Sequence, residues 1–266
     1  MAVESSSQNC LLGDVRGSGP PLVILHGLFA SGANMRAVAN DLAQSYTVYS
    51  VDLPLHGKSK GVNADSVEAM AWSVKAFLHD NLISEPVVIG HSLGGKVAMS
   101  AVLSGLQIRA LVVLDIAPVA YAPSHQAVFS AIEQVAESAL LSRQAVRDCM
   151  AKILTDKMTI DFLTTQLHKG VDGRFGWKFD WQALRNNYGD LLAAPAASDV
   201  SETPSLFIAG ELSNYIDREG RAAIKSLFSN SRVVTLKGTG HWPHAQKFEE
   251  LMGVLHYFLR PFGFDR

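Results

Sequence analysis

The run Val87-Val88-Ile89-Gly90-His91-Ser92-Leu93-Gly94-Gly95-Lys96 decides how the chain is read, because three β-branched residues lead straight into a Gly-x-Ser-x-Gly turn and a helical pattern follows. A short apolar run of this kind reads as a strand buried on both faces. A serine between glycines at a strand-to-helix junction sits on a sharp turn that strains its backbone and crowds its neighbours, and that turn lifts the hydroxyl clear of the sheet. The helix beyond it points its N-terminus at any oxyanion that forms there.

Working outward, similar Val/Ile/Leu-rich runs occupy 21–26, 47–53, 86–90, 110–116, 205–209 and 232–236, with 8–15 as an added edge strand. Helical patterns at 33–44, 65–81, 93–105, 217–229 and 246–259 lie between them and are long enough for crossover connections. The alternation predicts an α/β fold with a mostly parallel central sheet flanked by helices. It breaks after Asp115, where about eighty residues separate two strands that an ordinary crossover would join with far fewer. The expectation is a body of 1–117 and 200–266 carrying a helical cap of 118–199, with helices over 124–137, 142–154 and 159–169. The aromatics Phe175, Trp177, Phe179, Trp181 and Tyr188 then crowd the end of the cap. Each could simply anchor the insertion, but as a group they suggest an apolar pocket wall. Phe29, Val119, Phe175, Trp177, Trp181 and Trp242 are the candidate pocket residues. Glycines at 170, 173 and 176 read as a mobile segment or an ordinary surface loop.

The 266 residues are 48% hydrophobic and 18% charged, a globular composition with room for a sizeable core. With 25 acidic and 23 basic residues the formal charge is −2, so no electrostatic footprint for nucleic acid or anionic lipid is visible. Two cysteines, Cys10 and Cys149, make no disulfide framework and fit a reducing cytoplasm. The first ten residues lack the pattern of a signal peptide, and Asp115 interrupts the apolar run near 111–120, so neither export nor a membrane span is expected.

A serine hydroxyl needs a base, and the best placed of nine histidines is His241 in Gly238-Thr239-Gly240-His241-Trp242, just after the last strand. His244 competes but falls where the final helix begins, and without a third ligand the His-x-x-His spacing makes no metal site. The loop His26-Gly27-Leu28-Phe29 follows the first buried strand, so the Leu28 and Leu93 amides are the candidate oxyanion donors, with His26 orienting the loop. The acid has three candidates at strand ends: Glu211, Asp115 and Asp52. After the strand that follows the cap, Gly210-Glu211-Leu212-Ser213 has serine where an aspartate would be sought. Asp115 ends the strand next after that of the serine, from which a carboxylate can reach the histidine. Asp52, in Asp52-Leu53-Pro54-Leu55-His56-Gly57, reads as a turn stabiliser.

Across essentially the whole chain these residues resemble the α/β-hydrolase superfamily, and more closely the YbfF-type bacterial esterases. The resemblance is carried by His26-Gly27-Leu28-Phe29, His91-Ser92-Leu93-Gly94-Gly95-Lys96 and Leu114-Asp115-Ile116-Ala117-Pro118-Val119, supported by Gly240-His241-Trp242 and His244-Ala245. It implies the α/β-hydrolase fold, an acid from the Asp-Ile-Ala-Pro segment, hence Asp115, and activity on a small-molecule ester or acyl thioester. No cofactor is expected, and the resemblance leaves the oligomeric state open. Carbon–carbon bond hydrolysis or perhydrolysis on the same three residues is the alternative chemistry, and a small-ligand receptor is the alternative of another class.

Overall fold

In Leu22-Val23-Ile24-Leu25 every side chain is inaccessible, with Val23 and Leu25 joining one hydrophobic cluster and Leu22 and Ile24 the other. Alternation across the pleat therefore leaves no polar position in the run, as a sheet covered on both faces requires. The protein is described by a computed structural model, which covers residues 10–197 and 199–263. Residues 8 and 9 of the expected edge strand, and most of the segment searched for a signal peptide, lie outside the described residues.

The strands are β1 (Gly13–Arg16), β2 (Pro21–Leu25), β3 (Thr47–Val51), β4 (Val87–His91), β5 (Ala110–Leu114), β6 (Leu167–Lys169), β7 (Phe175–Trp177), β8 (Ser205–Gly210) and β9 (Ser231–Leu236). Seven of them form one sheet in the order β1-β3-β2-β4-β5-β8-β9. β1 runs antiparallel to β3, and every other pairing in the sheet is parallel. The body helices are α1 (Arg36–Leu42), α2 (Val67–Asp80), α3 (Leu93–Leu103), α9 (Arg218–Leu227), α10 (Pro243–Gln246) and α11 (Phe248–Leu259). Helix starts follow local chemistry: the Ser66 hydroxyl accepts from Ala69 N–H and the Asp217 carboxylate from Gly220 N–H, each occupying an orphan donor of its first turn.

Between β5 and β8 the chain leaves the sheet and builds α4 (Gln126–Glu137), α5 (Arg143–Met150), α6 (Lys157–Thr165), α7 (Trp181–Asn186) and α8 (Tyr188–Leu192). The insertion is not purely helical. The helical reading of 159–169 stops at Thr165, and β6 pairs with β7 in an antiparallel hairpin. Of the glycines read as mobile or loop, two make its turn and Gly176 lies in β7: Gly170 N–H donates to Arg174 O at 2.8 Å, and Gly173 takes φ 82°. Insertion and body share one core, because Phe129, Trp177 and Phe179 belong to the same cluster as Val97 and Val113. Asp180 N–H to Leu55 O at 2.8 Å and Lys60 Nζ to Trp177 O at 3.1 Å tie them further. Among the described residues no helix is long and apolar enough to cross a membrane.

Candidate active site

Ser92 adopts φ 51° and ψ −118°, outside the conformations a serine ordinarily holds, at the step from β4 into α3. The turn is tight enough that a Cβ on Gly94 would stand 2.5 Å from both His26 O and Leu25 O. Glycine is therefore dictated by close approach. His241 Nε2 lies 3.0 Å from Ser92 Oγ, and its Nδ1 lies 2.8 Å from Asp115 Oδ2. A carboxylate only accepts, so Nδ1 carries the imidazole hydrogen and Nε2 is free to take the serine proton.

Asp115 follows β5 at φ 52° and is fully buried. Three donors hold it: His241 Nδ1–H, the Gly210 N–H at 2.8 Å, and the Ser213 hydroxyl. The serine in the slot where an aspartate was sought thus serves an aspartate one strand away. Glu211 is engaged elsewhere, accepting from Gly238 N–H at 2.8 Å, and Asp52 accepts from Gly32 and Lys58 N–H groups in its turn.

The Leu93 amide opens α3 and has no intrahelical acceptor. Among the described residues no acceptor engages the Leu28 N–H either. Both residues line the same cavity as Ser92. Gly27 lets their loop close on the serine, since a Cβ there would lie 3.3 Å from Ser92 Cβ and 2.9 Å from His91 Nδ1. Buried histidines fix that loop: Phe29 N–H donates to His56 Nε2 at 3.1 Å and Leu53 N–H to His26 Nε2 at 3.0 Å. The arrangement is a hydroxyl, a base, an acid behind the base and two unengaged amides, opening on a cavity of about 250 Å³. It is the arrangement acyl transfer demands.

Comparison with known proteins agrees. The alpha/beta hydrolase fold family matches residues 20–248. The chain is 33% identical over 241 residues to esterase YbfF of Escherichia coli (strain K12), covering 90% of this chain and 92% of that one. It is 31% identical over 258 residues to the sn-1-specific diacylglycerol lipase ABHD11 of Danio rerio, covering 93% and 81% respectively. A solved structure of a marine microorganism esterase aligns with a TM-score of 0.89 at 31% identity, covering 94% of this chain and 99% of that one. The chain belongs to the α/β-hydrolase superfamily. Within it, the chain is a hydrolase of the esterase and lipase kind.

The cavity of this hydrolase has a different wall from the expected one. Phe29 and Trp242 do line it, with Trp242 tilted against Phe162 of α6. Val119, Phe175, Trp177 and Trp181 do not. Trp177 donates its indole N–H to Ile132 O at 3.0 Å and stacks on Phe179, while Phe175 and Trp181 pack on the core. They anchor the cap from several elements: Phe175 and Trp177 lie on β7, Phe179 beyond it bridges to His56, and Trp181 opens α7. Of the expected aromatic group Tyr188 does line the cavity, and Tyr121, His125, Val128, Thr159 and Phe162 are among the other residues the cap contributes.

Burial keeps the surrounding imidazoles neutral. It lowers the pKa of His26 to about 4, that of His56 to about 3 with His26 adding to the effect, and that of His244 to about 4 with His241 adding. His91 is pushed well below the usual range for the same reason, and its Nε2–H donates to His241 O at 2.8 Å. Lys96, lowered to about 8 by burial, donates to Leu192 O at 2.7 Å and so holds the end of the cap to α3. Tyr215 was not legible in the sequence. Its ring stacks on His241 with centroids 4.1 Å apart and planes 27° apart, and its N–H reaches Ser213 Oγ at 3.3 Å. Among the described residues no group of three or more His, Cys, Asp or Glu could hold a metal ion.

Proposed function

We propose that this hydrolase cleaves carboxylic esters or acyl thioesters through an acyl-enzyme on Ser92. The reading is carried by the unbroken chain Ser92 Oγ, His241 Nε2, His241 Nδ1, Asp115 Oδ2, with steps of 3.0 and 2.8 Å, at the wall of the cavity. His241 takes the Ser92 proton as Oγ bonds to the substrate carbonyl carbon. The carbonyl oxygen becomes an oxyanion received by the Leu28 and Leu93 amides, each worth about 3 kcal/mol in the transition state. The carbon–oxygen or carbon–sulfur bond then breaks, and the alcohol or thiol departs with the proton held on His241. Water, deprotonated by the same nitrogen, attacks the acyl-enzyme, releases the acid and returns the proton to Ser92. Asp115 keeps Nδ1 protonated and balances the transient imidazolium. The insertion over 118–199 acts as the cap that closes the acyl site from water.

The relatives' names support an ester bond as the target, since they are an esterase and a diacylglycerol lipase. The test is hydrolysis of p-nitrophenyl esters from acetate to palmitate, and of acyl-CoA thioesters, beside Ser92→Ala. Turnover is expected, and the variant should lose about a million-fold in kcat. Absence of turnover on all esters and thioesters would sink the proposal and favour carbon–carbon substrates or ligand binding alone.

A further inference from the structure

His125 carries a nitrogen that acyl transfer does not use. It stands just before α4 and lines the cavity with Phe29 and Tyr188, its ring edge-on to Phe29 at 6.1 Å between centroids. Two hydroxyls converge on its Nδ1: that of Tyr188 in a short contact and that of Ser124 at 3.5 Å. The Tyr188 oxygen also receives the Ser124 N–H at 3.3 Å. A phenol has one hydrogen to give. Among the described residues the Tyr188 hydrogen has no other acceptor, so we assign it to Nδ1, which places the imidazole hydrogen on Nε2. Burial, with His241 adding to it, lowers the pKa of the ring to about 4, so at neutral pH this is an uncharged donor.

Among the described residues Nε2 has no partner. The walls nearby are largely apolar, with Phe29, Val128, Phe162 and Leu191 among them. A purely alkyl ester entering the cavity displaces water from this N–H and returns nothing, whereas an oxygen at the same place restores the hydrogen bond. We propose that His125 Nε2–H is a specificity-determining donor for a second oxygen of the substrate, so that the preferred esters carry an ether, hydroxyl or further ester oxygen a few atoms from the scissile carbonyl. This rests on the ester reading above.

The experiment compares kcat/KM within isosteric pairs: 2-ethoxyethyl butanoate against pentyl butanoate for the alcohol side, and ethyl 3-methoxypropanoate against ethyl pentanoate for the acyl side. The wild type should favour the oxygenated member of at least one pair by about tenfold. His125→Phe should bring the ratio within that pair to about one, whatever its absolute rates, and His125→Gln, which returns an N–H, should restore part of the preference. No preference in either pair, or a preference that survives His125→Phe, overturns the inference while leaving the ester reading intact. Equal loss on both members of a pair in both variants assigns His125 to holding the cap and overturns it as well. No turnover of any ester by the wild type removes the ester reading, and this inference with it.

Discussion

Replacing Asp115 by Asn separates charge from shape at the position where this chain places its candidate acid. Asparagine tolerates the left-handed backbone that Asp115 holds at φ 52°, and its amide oxygen can keep the Gly210 N–H. What disappears is the acceptor for His241 Nδ1–H. An amide NH₂ there faces another donor, so the imidazole moves its hydrogen to Nε2 and presents no lone pair to Ser92. The expected loss is ~10⁴-fold in kcat, or about 5 kcal/mol of transition-state stabilisation. Position 213 offers the complementary test. The Ser213 hydroxyl and His241 Nδ1 share one oxygen of Asp115, so a carboxylate grown from position 213 comes within reach of the imidazole. In the Asp115→Asn background, Ser213→Asp should recover about a hundredfold, the rest being forfeited to imperfect placement. Glu211→Gln is the control and should stay near the wild type, because that carboxylate serves Gly238. Stopped-flow measurement of the acylation burst on a p-nitrophenyl ester reads all four proteins. A kcat for Asp115→Asn within tenfold of the wild type, or equal damage from Glu211→Gln, would refute the assignment.

The ring face of Tyr215 lies on His241 and holds its plane, so Tyr215→Leu should lower kcat about tenfold by loosening the base. Tyr215→Phe keeps the ring and should keep kcat; a kcat unmoved by leucine would show that the stacking is incidental. Gly27→Ala puts a methyl 3.3 Å from Ser92 Cβ and should reduce kcat about a hundredfold by displacing the Leu28 amide, with little change in thermal midpoint; unchanged kcat would place the oxyanion donors elsewhere. Stability should fall as pH drops from about 6.5 towards 4. Unfolded histidines take up protons across that interval, while native His26 and His56, lowered to about 4 and about 3, do not, so the unfolded state binds more protons. Urea titrations at several pH values should give a slope of at least two protons around pH 5, and a flat dependence contradicts the buried-neutral assignment.

The elbow was legible because everything it needs is local. A strand, a turn so tight that a Cβ on Gly90 would stand 2.4 Å from Gly94 O, and a helix start are all written within ten residues of Ser92, and the geometry that results depends on neighbours in sequence. His241 was legible for a similar reason, as the histidine in a glycine-bordered loop after the last strand. The residues alone left Asp115 as one of three candidate acids and the resemblance chose it, since the Ser213 hydroxyl that holds this carboxylate lies 98 residues away and a single sequence carries no sign of that pairing.

The cavity wall failed for a different reason. An amphipathic pattern says that a helix has an inward face, but in a cap there are two insides, the shared core and the substrate space. On α4, Phe129 and Ile132 turn into the core while Val128, one residue earlier, reaches the cavity, and on α6 the Thr159, Phe162 and Leu163 face does the same. The choice between those interiors is made by how α4 and α6 sit against the Gly27–Phe29 loop and Trp242, contacts that are all long-range. Aromatic density drew the reading towards Trp177 and Trp181, where large side chains hold the cap in place. The cavity is instead faced by apolar side chains such as Val128 and Phe162 with a few polar groups set among them, His125, Thr159 and Tyr188. The parts that hold the cap down need bulk, and the parts proposed to sort substrates need hydrogen bonds. In this chain aromatic density pointed to the first set and, of the second, to Tyr188 alone, while His125 and Thr159 became visible in the folded arrangement.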